Sequence, residues 1–180
     1  MNKAIFLDRD GTVIKDKGYA FDPCSIEFIE GAVSSLLRLQ NAGYLLIIIT
    51  NQSGVAKGLF TEEQLKDFNK EMLSLLEKRG VHISAVYYCP HHPKGTVIGY
   101  ARECLCRKPG TQLFLDAAKS FDVDFGESYA IGDRERDCSI CLDTECRGFV
   151  LGTGEAPTCQ RIMRAKTLER CVDYILGDVK

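Results

Sequence analysis

Short hydrophobic runs along the chain end in small or acidic residues. Ala4-Ile5-Phe6-Leu7 stops at Asp8, Tyr44 to Ile49 at Thr50, and Ser84 to Tyr88 at Cys89. Tyr129-Ala130-Ile131 stops at Gly132-Asp133. Such runs, bounded by turn residues, read as buried strands. Tyr44 to Ile49 is almost continuously apolar, as expected of a strand covered on both faces. Helical spacing fills the intervals. Gly31 to Ala42 places Val33, Leu36, Leu37 and Leu39 on one face, with Gly43 as the stop. Thr61-Glu62-Glu63-Gln64 reads as a capping box that opens a helix running to about Arg79, with Gly80 as its C-cap. Thr111 to Ser120 puts Leu113, Phe114 and Ala117 together. Arg147 to Leu151 is expected as a last strand and Arg161 to Arg170 as a polar helix. Residues 14–29 show no clear period and read as a loop long enough to be suspected of function. Strands alternating with helices predict an α/β fold with a doubly wound parallel sheet.

Composition narrows the class. The 180 residues suit one domain, expected over 1–180. A net charge of -2 gives no reason to expect a nucleic-acid partner. No apolar run is long enough to span a bilayer. The chain opens on a strand without a charged-then-apolar leader, so a cytoplasmic location is expected. Its nine cysteines are then expected as reduced thiols, and clusters among them point to metal before disulfide.

The polar tips of the strands carry the chemistry. In open parallel sheets, ligands bind at the carboxyl ends of the strands. Asp8 and Asp10 stand there, with Gly11 free to turn the chain away. Being two residues apart, the two acids are expected on the same side of the strand. Thr50 and Asn51 follow the second strand, and Asp133 and Asp137 follow the fourth. Lys108 sits before Pro109 in the loop between. Phosphoryl transfer needs charge neutralisation on the equatorial oxygens and in-line attacking and leaving oxygens. Asp8 and Asp133 are carboxylates suited to Mg²⁺. Lys108 and the Thr50 hydroxyl are suited to a phosphate. A second acid close to a nucleophile can protonate a leaving oxygen and later activate water. Asp137 fits equally the first turn of a helix, where the dipole favours acids.

Cys89-x-His91 and Cys104-x-Cys106 are two close pairs of possible ligands, separated by residues 92–103. This pattern predicts a tetrahedral, structural Zn²⁺ site with Cys₃His ligation in a loop at about 89–106. The loop is polar and poor in packing residues, which gives it a reason to need a metal. His92 is an alternative to His91, although the matched spacing of the pairs favours His91. Cys24, Cys138, Cys141, Cys146, Cys159 and Cys171 form no comparable set and are expected as small buried or half-buried residues.

Asp8-Arg9-Asp10-Gly11-Thr12, Thr50-Asn51, Lys108 and Gly132-Asp133-x-x-x-Asp137 together resemble the four ordered motifs of haloacid-dehalogenase-type phosphatases. The resemblance implies Asp8 as nucleophile and Asp10 as general acid/base. It implies Mg²⁺ on Asp8, Asp133 and the backbone carbonyl of Asp10, phosphoryl stabilisation by Thr50 and Lys108, and support from Asp137. The zinc loop narrows it further. Lys17-Gly18-Tyr19, Asn51 to Gly58, Tyr87 to Pro93 and Cys104-x-Cys106-Arg107-Lys108-Pro109 are similar to the group of D,D-heptose 1,7-bisphosphate and histidinol-phosphate phosphatases. The heptose members imply removal of one phosphate from a phosphorylated sugar in nucleotide-activated heptose biosynthesis. The histidinol members remain the alternative. Asp16, Lys17, Gly18, Tyr19, Asn51, Gln52, Ser53, Arg107 and Arg134 are implied as substrate contacts. Arg107 is physically suited to grip a remote phosphate through its fork. The loop is too small to be a large cap domain, and a monomer is expected. Proteins of two other classes fit these residues less well. A silent zinc-stabilised binding module has no need of the complete Asp8, Asp10, Thr50, Lys108 and Asp133 set. A receiver-type signalling domain needs neither Asp10 nor the zinc loop.

Overall fold

The computed structural model describes residues 1–178. Six parallel strands form one sheet in the order β3-β2-β1-β4-β5-β6. They are β1 (Ala4–Leu7), β2 (Leu45–Asn51), β3 (Ala85–Cys89), β4 (Tyr129–Gly132), β5 (Arg147–Leu151) and β6 (Ile162–Ala165). The helices are α1 (Ala32–Asn41), α2 (Glu62–Glu77), α3 (Gln112–Phe121), α4 (Ile140–Asp143) and α5 (Leu168–Leu176). Alternate strand residues face opposite layers. Ile5, Leu7, Ile48 and Ile131 pack with Leu36, Phe68, Met72 and Val172 of α1, α2 and α5. Ala4, Phe6, Ile49 and Ala130 pack with Phe114, Ala117 and Ile140 of α3 and α4. Cover on both faces is why these strands read as continuous hydrophobic runs.

The capping box at Thr61 forms as expected: Thr61 accepts from Gln64 N at 3.1 Å, and Gln64 Oε1 accepts from Thr61 N at 2.8 Å. The helix stops at Glu77, short of Arg79, and Gly80 turns at φ +82°. The segment 161–170 is not one polar helix. Ile162–Ala165 is an edge strand in register with β5, Gly148 opposite Ile162 and Leu151 opposite Ala165. Thr167 then caps a new helix, accepting from Arg170 N at 3.4 Å, and Leu168, Cys171 and Val172 form its buried face. A four-residue, half-exposed strand carries too little alternation to be distinguished from the start of that helix.

The chain runs from β1 outward to β2 and β3, then crosses to β4 on the other side of β1. The strand order therefore reverses between β1 and β4, where an open α/β sheet leaves a crevice for ligand. Leu7 lies opposite Ile131 in that gap, so the next residues of the two strands, Asp8 and Gly132, open the crevice together. No large cap is inserted among the described residues. The segment 90–111 between β3 and α3 contains the cysteine–histidine loop.

Candidate active site

Asp8 leaves β1 with its N–H bonded to the Ile131 carbonyl at 2.9 Å. Lys108 reaches it from the loop before α3. Its ammonium donates to Asp8 Oδ1 at 2.7 Å and to the Ile49 carbonyl at 2.6 Å, and pairs with Asp137 Oδ1 at 2.7 Å. The Lys108 side chain is 1% exposed, and these partners use all three of its hydrogens. Burial alone would lower its pKa, but Asp8 and Asp137 outweigh that and raise it. Asn51 fixes the loop from β2: its amide donates to the Lys108 carbonyl at 3.0 Å and accepts from Lys108 N–H at 3.0 Å.

Asp137 is held in turn by the Arg134 N–H at 2.9 Å. It packs so closely on Gly132 that a Cβ there would lie 2.2 Å from its own Cβ. Gly11 is under the same pressure. It turns at φ +80°, and a Cβ would come within 2.9 Å of Asp133 Oδ2. These two glycines let the acids of β1 and β4 converge.

Carboxylate oxygens of Asp8, Asp133 and Asp137 lie within 4.8 Å of one another. Burial holds Asp8 up at about 6, with Lys108 opposing and Asp137 assisting. Burial and then the charge of Asp137 raise Asp133. Lys108 and the exposed Arg134 do not offset three such charges, so the donor set suits a hard divalent cation. The third member of this group is Asp137 and not the Asp10 side chain. Asp10 turns instead to Arg9 and to Gln52, whose Nε2 donates to Asp10 Oδ2 at 2.7 Å and to Thr50 Oγ1 at 2.9 Å.

The acids floor a cleft of about 270 Å³. Asp8, Asp10, Asp16, Gly18, Tyr19, Thr50, Asn51, Gln52, Ser53, Asp133, Arg134 and Asp137 line it, all singled out from the sequence. Arg9, Ala20 and Arg136 line it as well and were missed. Lys17 does not reach it, because its ammonium bonds to the Ser25 carbonyl at 2.9 Å and pairs with Glu27 at 3.2 Å. Arg107 also lies outside the lining, with Nη1 donating to the His91 carbonyl at 3.3 Å. Its charge is nevertheless felt at Tyr19 on the cleft wall. Tyr19 adopts φ +53° and accepts from Lys57 Nζ, which also sits 4.8 Å from the ring centroid. That hydrogen bond is the main reason the Tyr19 hydroxyl is shifted down.

The cysteine–histidine loop gathers the four expected ligands. Cys89, Cys104 and Cys106 sulfurs stand 3.2–3.5 Å apart, and His91 Nδ1 is 3.4 Å from Cys106 Sγ and 3.8 Å from Cys89 Sγ. Metal–ligand bonds of about 2.0–2.3 Å in a tetrahedron give edges of roughly this length. His92 takes no part, its Nδ1 accepting from Lys94 N at 3.1 Å. Tyr100 of the loop and Tyr88 of β3 both donate to Glu62 at the start of α2, at 2.5 and 2.8 Å. Of the remaining cysteines, Cys138, Cys141, Cys146 and Cys171 are buried and Cys159 is half-buried. Cys24 departs from expectation and is exposed.

Comparison with known proteins accords with this geometry. The family described as Polynucleotide kinase 3 phosphatase matches residues 3–137, and the HAD-hydrolase-like family matches residues 105–179. D-glycero-beta-D-manno-heptose-1,7-bisphosphate 7-phosphatase of Yersinia pestis is 42% identical over 98% of this chain and 90% of its own length. The protein of that name from Haemophilus ducreyi is 40% identical over 96% of each chain. The chain belongs to the heptose-bisphosphate phosphatase family of haloacid-dehalogenase-like hydrolases. The crystal structure of a D,D-heptose 1,7-bisphosphate phosphatase from B. bronchiseptica, complexed with magnesium and phosphate, superposes with a TM-score of 0.83. It is 29% identical, over 98% of this chain and 99% of that one. A HAD-like phosphatase from Mesorhizobium loti gives a TM-score of 0.87 at 27% identity, over 99% of this chain and 88% of that one.

Proposed function

We propose that the chain, a single phosphatase domain over residues 1–180, removes the C7 phosphate of D-glycero-D-manno-heptose 1,7-bisphosphate through an aspartyl-phosphate on Asp8. The observation that carries this reading is the state of the Asp8 carboxylate. Lys108 engages Oδ1 at 2.7 Å, while Oδ2 has no hydrogen-bond partner among the described residues. One oxygen is thus anchored and the other left for attack.

In the first step Asp8 attacks phosphorus, a new Oδ–P bond forms, and the sugar oxygen leaves with a proton from Asp10. In the second, water attacks phosphorus, its proton passes to Asp10, and the Asp8–P bond breaks. Thr50 and the backbone N–H groups beside it receive the phosphoryl oxygens. Lys108 keeps Asp8 oriented, and Asp137 keeps Lys108 in place. Asp8, Asp133 and the Asp10 carbonyl would hold Mg²⁺, with Asp137 behind them; the ion supplies charge neutralisation on the phosphoryl oxygens. Zn²⁺ on Cys89, His91, Cys104 and Cys106 is structural, because four protein ligands leave no open position.

The sugar is read from the relatives, whose names specify the 7-phosphatase reaction at 40–43% identity. Asp16, Gly18, Tyr19, Gln52 and Ser53 on the cleft wall are the proposed sugar contacts, with Arg134 and Arg107 available to the remote phosphate. No described helix is long and apolar enough to cross a membrane, and heptose-phosphate chemistry accords with a cytoplasmic place. The test is a phosphate-release screen over heptose 1,7-bisphosphate, sugar monophosphates and histidinol phosphate. Heptose bisphosphate is expected to give the highest kcat/KM, with one phosphate released and none by Asp8→Asn. A preference for histidinol phosphate would overturn the substrate, and substantial turnover by Asp8→Asn would overturn the mechanism.

A further inference from the structure

Arg9 stands between the two aspartates of the first strand tip, yet its side chain is 1% exposed. A buried guanidinium requires partners for its donors. Nε and Nη2 both contact Asp10, four contacts at 3.0–3.3 Å spread over its two carboxylate oxygens. Nη1 donates to Asn69 Oδ1 at 2.8 Å. The guanidinium carbon lies 4.7 Å from the centroid of the Phe68 ring. Phe68 and Asn69 are neighbours on α2, buried at 0% and 6% exposure. One face of Arg9 is thus fixed to a packed helix while its fork grips Asp10, and Gln52 closes the other side of the same carboxylate at 2.7 Å.

We propose that Arg9, anchored by Asn69 and Phe68, is a positioning residue that sets the plane of the Asp10 carboxylate for hydrolysis of the phospho-enzyme. The proposal rests on the roles given above to Asp8 and Asp10. In the hydrolytic half-reaction the water oxygen bonds to phosphorus as the Asp8–P bond breaks, and the water proton goes to an oxygen of Asp10. That oxygen must lie within hydrogen-bond reach of the water. A carboxylate held by two nitrogens of a rigid fork cannot rotate freely, whereas a single ammonium would leave its plane undefined. The first half-reaction depends less on this plane, because the leaving sugar oxygen is presented by the bound substrate. Loosening Arg9 therefore slows the second step more than the first, and phospho-enzyme accumulates.

The experiment is steady-state turnover of p-nitrophenyl phosphate with Mg²⁺, with acid-quenched intact mass to count phosphorylated chains. Arg9→Lys is expected to lower kcat by roughly 10- to 100-fold, part of the usual general-base contribution. KM should fall in parallel, leaving kcat/KM within about twofold of wild type because the first step is spared, and the phosphorylated fraction should rise. Asn69→Leu, which removes the anchor without touching Asp10, is expected to move both readouts in the same direction by less. Asn69→Asp, which restores an acceptor for Nη1, should return them toward wild type. Where Arg9→Lys fails to fold, the Asn69 pair carries the test alone. Wild-type phosphorylated fractions in folded Arg9→Lys and Asn69→Leu would overturn the proposal. Asp10→Asn is the control. If it accumulates phospho-enzyme and the Arg9 and Asn69 variants do not, the positioning role fails alone; if it does not accumulate any, the role of Asp10 itself fails.

Discussion

Asp137 reaches the ammonium of Lys108 at 2.7 Å, from the far side of the crevice that β1 and β4 open. An acid that reads in the sequence equally as a helix-start residue and as support for the site is thus the second counter-charge of a buried lysine. Removing its charge leaves Lys108 with Asp8 as its only ionic partner among the described residues. Asp137→Asn is expected to cost roughly 1.5–3 kcal/mol, as for a hydrogen bond to a charged group. Urea unfolding measures this; a change within about 0.5 kcal/mol, typical of a surface substitution, would return Asp137 to a simple dipole role. Turnover should fall with it, because Lys108 orients Asp8.

Legibility in the sequence followed the range of the forces involved. Asp8, Thr50 and Asp133 were readable because each ends a hydrophobic run, and a parallel sheet brings such ends together. The convergence of Cys89, His91, Cys104 and Cys106 was readable because their spacing is local. Arg9 was passed over because nothing nearby in sequence shows that it is buried; its anchors Phe68 and Asn69 arrive from α2. Arg136 was missed because it reaches the cleft only through the turn that follows β4. Lys17 stands outside the cleft lining for a similar reason: Glu27, across a loop without periodicity, pairs with its ammonium at 3.2 Å. The edge strand Ile162–Ala165 was lost to its brevity.

The elevated Asp8 sets a pH dependence. Its carboxyl sits at about 6 in the metal-free protein against an ordinary 3.8, chiefly through burial. Between those values the folded chain keeps a proton that the unfolded chain has released. The Asp8 contribution to stability therefore falls as pH rises through that window. A divalent cation needs the ionised form, so its binding expels the proton. One pH unit below the Asp8 pKa, apparent Mg²⁺ affinity should be about tenfold weaker than its plateau. Thermal shifts on adding Mg²⁺ at pH about 5 and about 7.5 test this, the larger shift being expected at the higher pH. Equal shifts would mean that Asp8 is already ionised without the metal.

The zinc loop makes a separate prediction. Cys89, Cys104 and Cys106 sulfurs 3.2–3.5 Å apart form a ready-made trigonal face, with His91 as the fourth corner. Elemental analysis should find about one zinc per chain. Cys104→Ser, or zinc removal by a strong chelator, should lower the melting temperature and loosen the segment that carries Arg107 and Lys108. Brief EDTA treatment followed by Mg²⁺ alone should restore full activity, because the structural ion is retained. A zinc-free preparation with unchanged melting would refute the structural role.

The remote phosphate is the sharpest question about substrate. Among the described residues Arg107 makes a single side-chain bond, 3.3 Å to the His91 carbonyl, so most of its donors are not committed to the cysteine–histidine loop. Its charge is also the smallest of the causes that lower the Tyr19 hydroxyl on the cleft wall. A bidentate, charge-assisted contact from Arg107 would orient a bisphosphate in a cleft without a cap. Losing such a contact costs about 1.5–3 kcal/mol, or roughly 10- to 150-fold in kcat/KM. Arg107→Ala should show that loss with heptose 1,7-bisphosphate and almost none with p-nitrophenyl phosphate, which has no second phosphate to lose. Arg136→Ala is the comparison, since Arg136 lines the cleft from the turn after β4. If Arg136→Ala carries the bisphosphate-specific loss, the second phosphate lies on the β4 side and Arg107 serves the zinc loop. Equal losses of Arg107→Ala on both substrates would likewise assign it to bracing that loop.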